Sequence, residues 1–144
     1  MPTDYKVIEF VPHHFGNEQG TFSDIKPDAV FAGRAKPFTF SCPNVDADER
    51  AVLMFQSRDV DSAKNNLHLN GKDIFGGLPV SPNRDTWNGN VLVIGPRQLK
   101  ATNNVLRIES LNTAGGRDGD IDDFLITNIV IMYKTRSPLP TTQV

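Results

Sequence analysis

The sequence contains few of the cysteine and histidine residues that metal and redox sites usually require. Cys42 is the only cysteine among 144 residues, which excludes an intrachain disulfide and a cysteine zinc cluster. Its position at the end of the apolar run FTFSCP predicts a small buried thiol, and a reactive thiol is the alternative. His13 and His14 are adjacent, so on an extended chain they point to opposite sides and are poorly placed to share a metal. We expect them to form a partly exposed pair in a loop.

A strong charge of either sign is also missing. The chain has 15 Lys and Arg against 17 Asp and Glu, a formal net charge of −2 at pH 7. This balance gives no electrostatic footprint for nucleic acid or for an anionic membrane. No cationic leader with an apolar stretch opens the chain, and no apolar run is long enough to span a bilayer. These features predict, by default, a cytoplasmic protein with no nucleic-acid partner and no membrane partner.

Sustained helical periodicity is absent, and short apolar or alternating runs separated by turns take its place. The runs lie at residues 5–11, 29–32, 38–42, 51–56, 67–70, 72–74, 91–94, 105–110 and 124–133. Asn70-Gly71 is the strongest hairpin signal, because a type I′ turn needs positive φ at both central residues. The pattern predicts one all-β domain over residues 1–136, a sandwich of two antiparallel sheets, followed by a flexible tail at residues 137–144.

The last run, residues 124–133, is apolar on both sides. Simple alternation divides it into two faces, one with Leu125, Ile129, Ile131 and Tyr133, the other with Phe124, Ile126, Val130 and Met132. A strand of this kind is covered on both sides, either by its own fold or by a partner. In a homo-oligomer the second face would meet its symmetry mate.

Five segments of different sequence follow one another along the chain: AVLMFQSRDV, NLHLNG, DTWNGNVLVIG, QLKATNNVLRIES and DDFLITNIVIMYK. This arrangement resembles the galactose-binding-domain-like jelly rolls, which include many carbohydrate-binding modules. The opening VIEFVPHHFG and the later FAG also resemble a small uncharacterised jelly-roll family of bacteria and archaea. The resemblance covers nearly the whole chain and implies a jelly-roll sandwich. The residues that carry it make turns and core, so it implies little about activity; they are Asn70, Gly71, Leu99, Asn104 and Leu106.

The single tryptophan, Trp87, lies in a polar segment that suits carbohydrate binding. A sugar needs an apolar ring against its C–H face, with amides, carboxylates or guanidinium groups near its hydroxyls. Trp87 is surrounded by such groups, which makes a candidate ligand-binding set of Arg84, Asp85, Trp87, Asn88 and Asn90. The alternative is that Trp87 begins a strand and packs in the core.

A second candidate site is the acidic segment RDGDIDD at residues 117–123. Four carboxylates fall within six residues, and hard oxygen ligands suit calcium; they belong to Asp118, Asp120, Asp122 and Asp123. The resemblance also implies a structural calcium near the start of the last strand. The alternative is a solvated acidic hairpin tip in which Arg117 offsets part of the charge.

No motif for catalysis accompanies these candidates. Cys42 and the histidines do not lie in a recognisable motif for a catalytic nucleophile. No glycine-rich loop precedes a helix to bind phosphate. The sequence therefore predicts a protein that is not an enzyme but a non-catalytic, lectin-like carbohydrate-binding module with calcium as the candidate cofactor. The alternative is a structural or assembly protein whose sandwich mediates homo-oligomer or protein–protein contacts.

Overall fold

The computed structural model describes residues 2–22, 29–111 and 121–136. These residues form strands and no helix. The described part of the chain therefore has no helix that is long and apolar enough to cross a membrane. In chain order the strands are β1 (Thr3–Glu9), β2 (His13–Phe15), β3 (Val30–Gly33), β4 (Ala35–Phe40), β5 (Ala51–Arg58), β6 (Asn66–Leu69), β7 (Lys72–Asp73), β8 (Asn88–Ile94), β9 (Asn104–Glu109) and β10 (Phe124–Lys134).

The strands form two sheets. The larger has the order β3-β2-β10-β5-β8, and β1 joins it by pairing with the C-terminal half of β10, alongside β2. The smaller has the order β4-β9-β6-β7. Neighbouring strands are antiparallel, apart from the parallel pair β2 and β3. The long last strand β10 is therefore central in the larger sheet, as its composition predicts.

The inner faces of the two sheets share one hydrophobic core. Phe15, Leu53 and Phe124 enter it from the larger sheet, and Phe38 and Leu106 from the smaller one. The rings of Phe15 and Phe124 stack with centroids 5.4 Å apart. Facing sheets with a common apolar interior are the arrangement of a β-sandwich, so the predicted all-β, two-sheet fold is confirmed.

The predicted runs correspond to nine of the ten strands, with ends that differ by a few residues. The hairpin at Asn70-Gly71 has the expected positive φ angles, 54° and 79°. Strand β2 was missed, and the expectation of a loop for His13 and His14 was wrong. Both histidines are buried because β2 pairs with the start of β10, a contact between distant parts of the chain.

The two faces of β10 also differ from the prediction. A β-bulge between Thr127 and Val130 interrupts the pairing with β5, and Asn128 within it has φ of 52°. The extra residue reverses the alternation of side chains along the strand. The core therefore receives residues from both predicted faces: Phe124, Ile126, Ile129, Ile131 and Tyr133.

Cys42 belongs to the hydrophobic core and is fully buried. Burial raises the pKa of its thiol to about 11, so the reactive thiolate is scarce at neutral pH. This agrees with the prediction of a buried, unreactive thiol. The predicted tail, residues 137–144, lies outside the described residues.

Candidate functional site

The β5–β6 connection, residues 59–65, lies against the loop that leads into β8. Ser81 donates its backbone N–H to the Val60 carbonyl (2.8 Å) and accepts the Val60 N–H on its hydroxyl (3.0 Å). Arg84 then pairs with Asp61, with Nε and Oδ1 2.9 Å apart. These contacts hold the segment predicted to bind sugar against the β5–β6 connection.

Asp122 reaches the same connection from the residues just before β10. Its side chain is buried, and Oδ2 accepts hydrogen bonds from the N–H groups of Asp61 and Ser62 (both 3.0 Å) and from Asn65 Nδ2 (2.7 Å). Asn65 in turn accepts the Leu111 N–H on Oδ1 at 2.9 Å. The two candidate sites are distant in sequence, but the structure joins them through Asp61.

Two carboxylate oxygens in this region are buried without a hydrogen-bond partner among the described residues, Asp59 Oδ1 and Asp122 Oδ1. Burial raises the pKa of Asp122 above its usual range. Burial, and secondarily the charge of Asp61, raises the pKa of Asp59 to about 6, while Arg84 opposes the shift. The region thus holds negative charge that its own cations and hydrogen bonds do not fully compensate.

Asp123, the next residue, has a separate environment. Its Oδ1 lies 2.7 Å from His14 Nε2 and accepts the Glu18 N–H at 3.1 Å. His14 is enclosed by edge-on contacts with Phe22 and Phe31, at centroid distances of 4.9 and 5.1 Å. The Asp123 carboxylate is therefore engaged in a packed histidine–aspartate pair.

The described residues fit the calcium prediction only in part. Asp118 and Asp120 lie outside them, whereas the unpartnered oxygens of Asp122 and Asp59 are suitable hard ligands. Calcium takes about six to eight oxygens. In residues 2–22, 29–111 and 121–136 no group of three or more His, Cys, Asp or Glu side chains is placed to hold one ion. This part of the chain offers two candidate oxygens and not a complete set of ligands.

Replacing Asp59 by asparagine tests the charge imbalance. The pKa of Asp59 is about 6 against an ordinary value of 3.8, so the folded state binds more protons between these values and stability falls as pH rises through this window. Asparagine carries no charge and tolerates the φ of 61° found at this position. We expect Asp59→Asn to raise the free energy of unfolding by roughly 1 kcal/mol at pH 7.5, allowing for solvent screening, and by less at pH 4.5.

Urea unfolding at the two pH values, in chelator, measures this difference. Asp48→Asn is the matched control, because Asp48 is exposed in a turn and should change stability little at either pH. An equal gain from Asp59→Asn at both pH values would show that the Asp59 charge is not the cause.

Trp87 is partly exposed and lies outside the buried core. Its neighbours are divided between surface and interior. Arg84 and Asp85 are exposed, whereas Asn88 donates Nδ2 to the Thr86 carbonyl (3.1 Å) and Asn90 donates Nδ2 to Ser57 Oγ (2.8 Å). The amide N–H groups of the two asparagines are thus engaged within the protein, so this set is less open to a ligand than its composition predicts.

A cleft of about 380 Å³ lies beside the β5–β6 connection. Two segments line it, residues 63–67 and 73–77, and they include Lys64, Asn66, Asp73 and Phe75. The side chain of Phe75 is 93% exposed, the largest exposure of any large hydrophobic residue in the described chain. Ligand sites are commonly lined by aromatic side chains together with a few polar groups.

Phe75 was not among the residues predicted from the sequence. The available signal was an aromatic residue in the turn-rich segment IFGGLP, where neighbouring Gly76 and Gly77 leave few side chains to cover it. Sequence alone could not separate this from Phe22, which also lies in a loop but packs against His14. Exposure is a property of the assembled fold.

Comparison with known proteins identifies no relative: no family model, no curated protein and no solved structure matches this chain. The functional assignment therefore depends on the geometry of the chain itself.

Proposed function

We propose that this protein is a non-catalytic carbohydrate-binding module whose sugar site is the cleft beside Phe75. The observation that carries the proposal is the 93% exposed phenyl ring at a cleft of about 380 Å³. That volume lies within the range of small-molecule sites and suits one or two sugar rings. Phe75 replaces Trp87 as the principal stacking residue.

The turn that carries Phe75 is built to hold its ring outward. Ile74 and Leu78, on either side, are both buried. Between them Gly76 and Gly77 have φ angles of 91° and 60°, and the Gly77 N–H donates to the Ile74 carbonyl at 2.9 Å. Two buried anchors and a hydrogen-bonded turn restrict the motion of the segment, which lowers the entropy cost of ordering it around a ligand.

Polar groups around the ring supply the partners that sugar hydroxyls need. Lys64 is an exposed donor, and Asp73 is an exposed acceptor whose Oδ1 lies 2.7 Å from His68 Nε2. Asn66 donates Nδ2 to Glu109 Oε1 at 3.0 Å, which fixes the orientation of its amide at the edge of the cleft. A ring face with donors and acceptors beside it matches the mixed apolar and polar surface of a pyranose.

The strand order supports a jelly roll as the finer description of the fold. With β1 and β2 counted as one interrupted strand, the first and last strands of the larger sheet are neighbours, and β4 and β9 pair at the edge of the smaller sheet. Nested pairing of early with late strands is typical of a double Greek key. We also propose that the jelly roll is of the galactose-binding-domain-like type. The support for this is the resemblance of the five segments that begin with AVLMFQSRDV and end with DDFLITNIVIMYK.

Calcium also remains a proposal. Asp122 would be the ligand nearest the start of β10, and Asp59 a second one from the β5–β6 connection. A bound divalent cation would neutralise the excess negative charge there. The cation would also hold the cleft wall in place, because Asn65 donates a hydrogen bond to Asp122 and lines the cleft. In saturating calcium, Asp59→Asn should then lower stability and not raise it.

The test of the sugar proposal is a glycan-array screen followed by titration calorimetry of the best ligand, with calcium and with chelator. We expect Phe75→Ala to weaken binding at least tenfold, because it removes the stacking surface. The melting temperature should stay unchanged, since the ring is almost fully exposed.

Val80→Ala is the control, because Val80 is a 46% exposed apolar residue of the same loop that does not line the cleft. Absence of binding to every glycan would refute the proposed function. Binding that survives Phe75→Ala but is lost in Trp87→Ala would move the site to the Trp87 segment.

A further inference from the structure

The outer face of the larger sheet, turned away from the core, carries two apolar rows that cross four strands. The pairing register places the members of each row opposite one another on β1, β10, β5 and β8 in turn. We call this surface the outer face; its rows are Tyr5, Met132, Val52 and Val93, and Val7, Val130, Met54 and Val91.

None of these side chains is charged, and five of them are well exposed. Exposure reaches 64% for Tyr5 and 67% for Val91 at opposite sides of the outer face, and Met132 in its middle is 39% exposed. Together they present on the order of 500 Å² of apolar surface, at the upper end of what a monomer usually exposes as one patch.

This area matches the requirement of a symmetric dimer. A standard interface buries about 800 Å² per partner, of which up to about 65% is apolar in homodimers, or roughly 500 Å². The face of one sheet packs well on the face of another, with the two sheets about 10 Å apart. In a pure solution of this protein, the surface that presents the same apolar face at equal concentration is that of a second copy.

Polar residues at the two ends of the outer face favour one orientation. At one end Lys134 donates Nζ to Thr3 Oγ1 at 2.9 Å. At the other, Asn128 donates Nδ2 to Gln56 Oε1 at 2.6 Å. A two-fold axis perpendicular to the strands places each Lys134 over the end of the partner's outer face that carries Asn128 and Gln56. This arrangement keeps the two lysines apart.

We propose that the outer face binds a second copy of this chain, forming a face-to-face dimer about this two-fold axis. The inference goes beyond the proposed sugar site, which lies beside the β6–β7 hairpin of the smaller sheet. It would give each dimer two sugar sites, and multivalent ligands would then bind more tightly than single sugars.

Sedimentation equilibrium of the full chain between 1 and 100 μM (concentrations of the order at which such interfaces form) tests the dimer. We expect a mass of twice 15.9 kDa, and at least a hundredfold weaker association for Tyr5→Lys and for Met132→Lys. Val80→Lys, which adds the same charge to an exposed valine away from the outer face, should remain dimeric.

The Tyr5→Lys variant should retain cooperative thermal unfolding, because the Tyr5 ring is mostly exposed. Weaker association of this variant would then not be caused by misfolding. A monomeric wild-type chain throughout this concentration range would overturn the proposal. So would a dimer that survives both lysine substitutions, because it would form elsewhere, for example through the edge strand β8.

Discussion

Replacing Asn104 by leucine is expected to lower the free energy of unfolding by about 3 kcal/mol, which corresponds to a fall in melting temperature of roughly 10 °C. Asn104 is fully buried at the start of β9. Its Oδ1 accepts the Lys100 N–H (2.8 Å) and Asn70 Nδ2 (2.9 Å), and its Nδ2 donates to the carbonyls of Lys100 (2.7 Å) and Phe40 (3.3 Å). Leucine has a similar branched shape but can form none of these hydrogen bonds.

The size of the effect follows from the connections that Asn104 makes. It ties β4, the turn before β9 and the β6–β7 hairpin together, because Asn70 also bonds the Gln98 carbonyl (2.8 Å) and accepts the Val105 N–H (2.8 Å). Removing one member leaves buried donors and acceptors without partners, and this costs more than the lost bonds themselves.

Chemical denaturation of Asn104→Leu measures the loss, with Asn103→Gly as the control. Asn103 is exposed and has φ of 57°, which glycine adopts without strain, so its replacement should change stability by less than about 0.5 kcal/mol. A double-mutant cycle with Asn70→Gly should give a coupling of about 1 kcal/mol, since glycine keeps the turn and removes only the side chain. If Asn104→Leu is as stable as wild type, the network does not stabilise the fold.

Gly16→Ala is expected to lower the free energy of unfolding by about 4 kcal/mol. Gly16 has φ of 137°, a region that L-residues rarely adopt. A Cβ there would lie 2.0 Å from Asp123 Oδ1 and 2.9 Å from Asp123 Cα. The side chain of Asp123 would have to move, and its backbone would have to shift with it.

The movement would break the contacts that hold β2 to the start of β10. Asp123 would lose His14 and the Glu18 N–H, and buried His14 would be left without its partner. This crowding also explains why the Asp123 carboxylate belongs to a structural pair and not to an open ligand set.

Gly33→Ala provides a matched comparison, because Gly33 receives the Gly16 N–H on its carbonyl at 2.9 Å and also has positive φ, at 76°. Open space surrounds the position of its Cβ, so this variant measures backbone strain alone, which should cost about 1 to 2 kcal/mol. Urea unfolding of both variants at pH 7.5 separates strain from collision. Equal losses in the two would exclude the contact with Asp123 as the cause.

The sequence identified two unusual polar segments, but it did not locate the cleft beside Phe75. The polar set around Trp87 and the aspartates before β10 were both identified as unusual. Their meeting at Asp61 depends on the backbone N–H groups of a third segment, and backbone donors have no signature in the residue letters. The exposed ring of Phe75 depends on Ile74 and Leu78 being anchored in a core built by distant strands.

The sequence by itself determined the all-β class, nine of the ten strands in the described part of the chain, the positive-φ hairpin at Asn70-Gly71 and the burial of Cys42. These features depend on local alternation and local turn chemistry, which neighbouring residues encode directly. Only the tertiary structure decided that β2 is a strand and that the bulge at Asn128 gathers both predicted faces of β10 into one core. Both are set by pairing with strands far away in the chain, and pairing energy depends on the partner as much as on the strand itself.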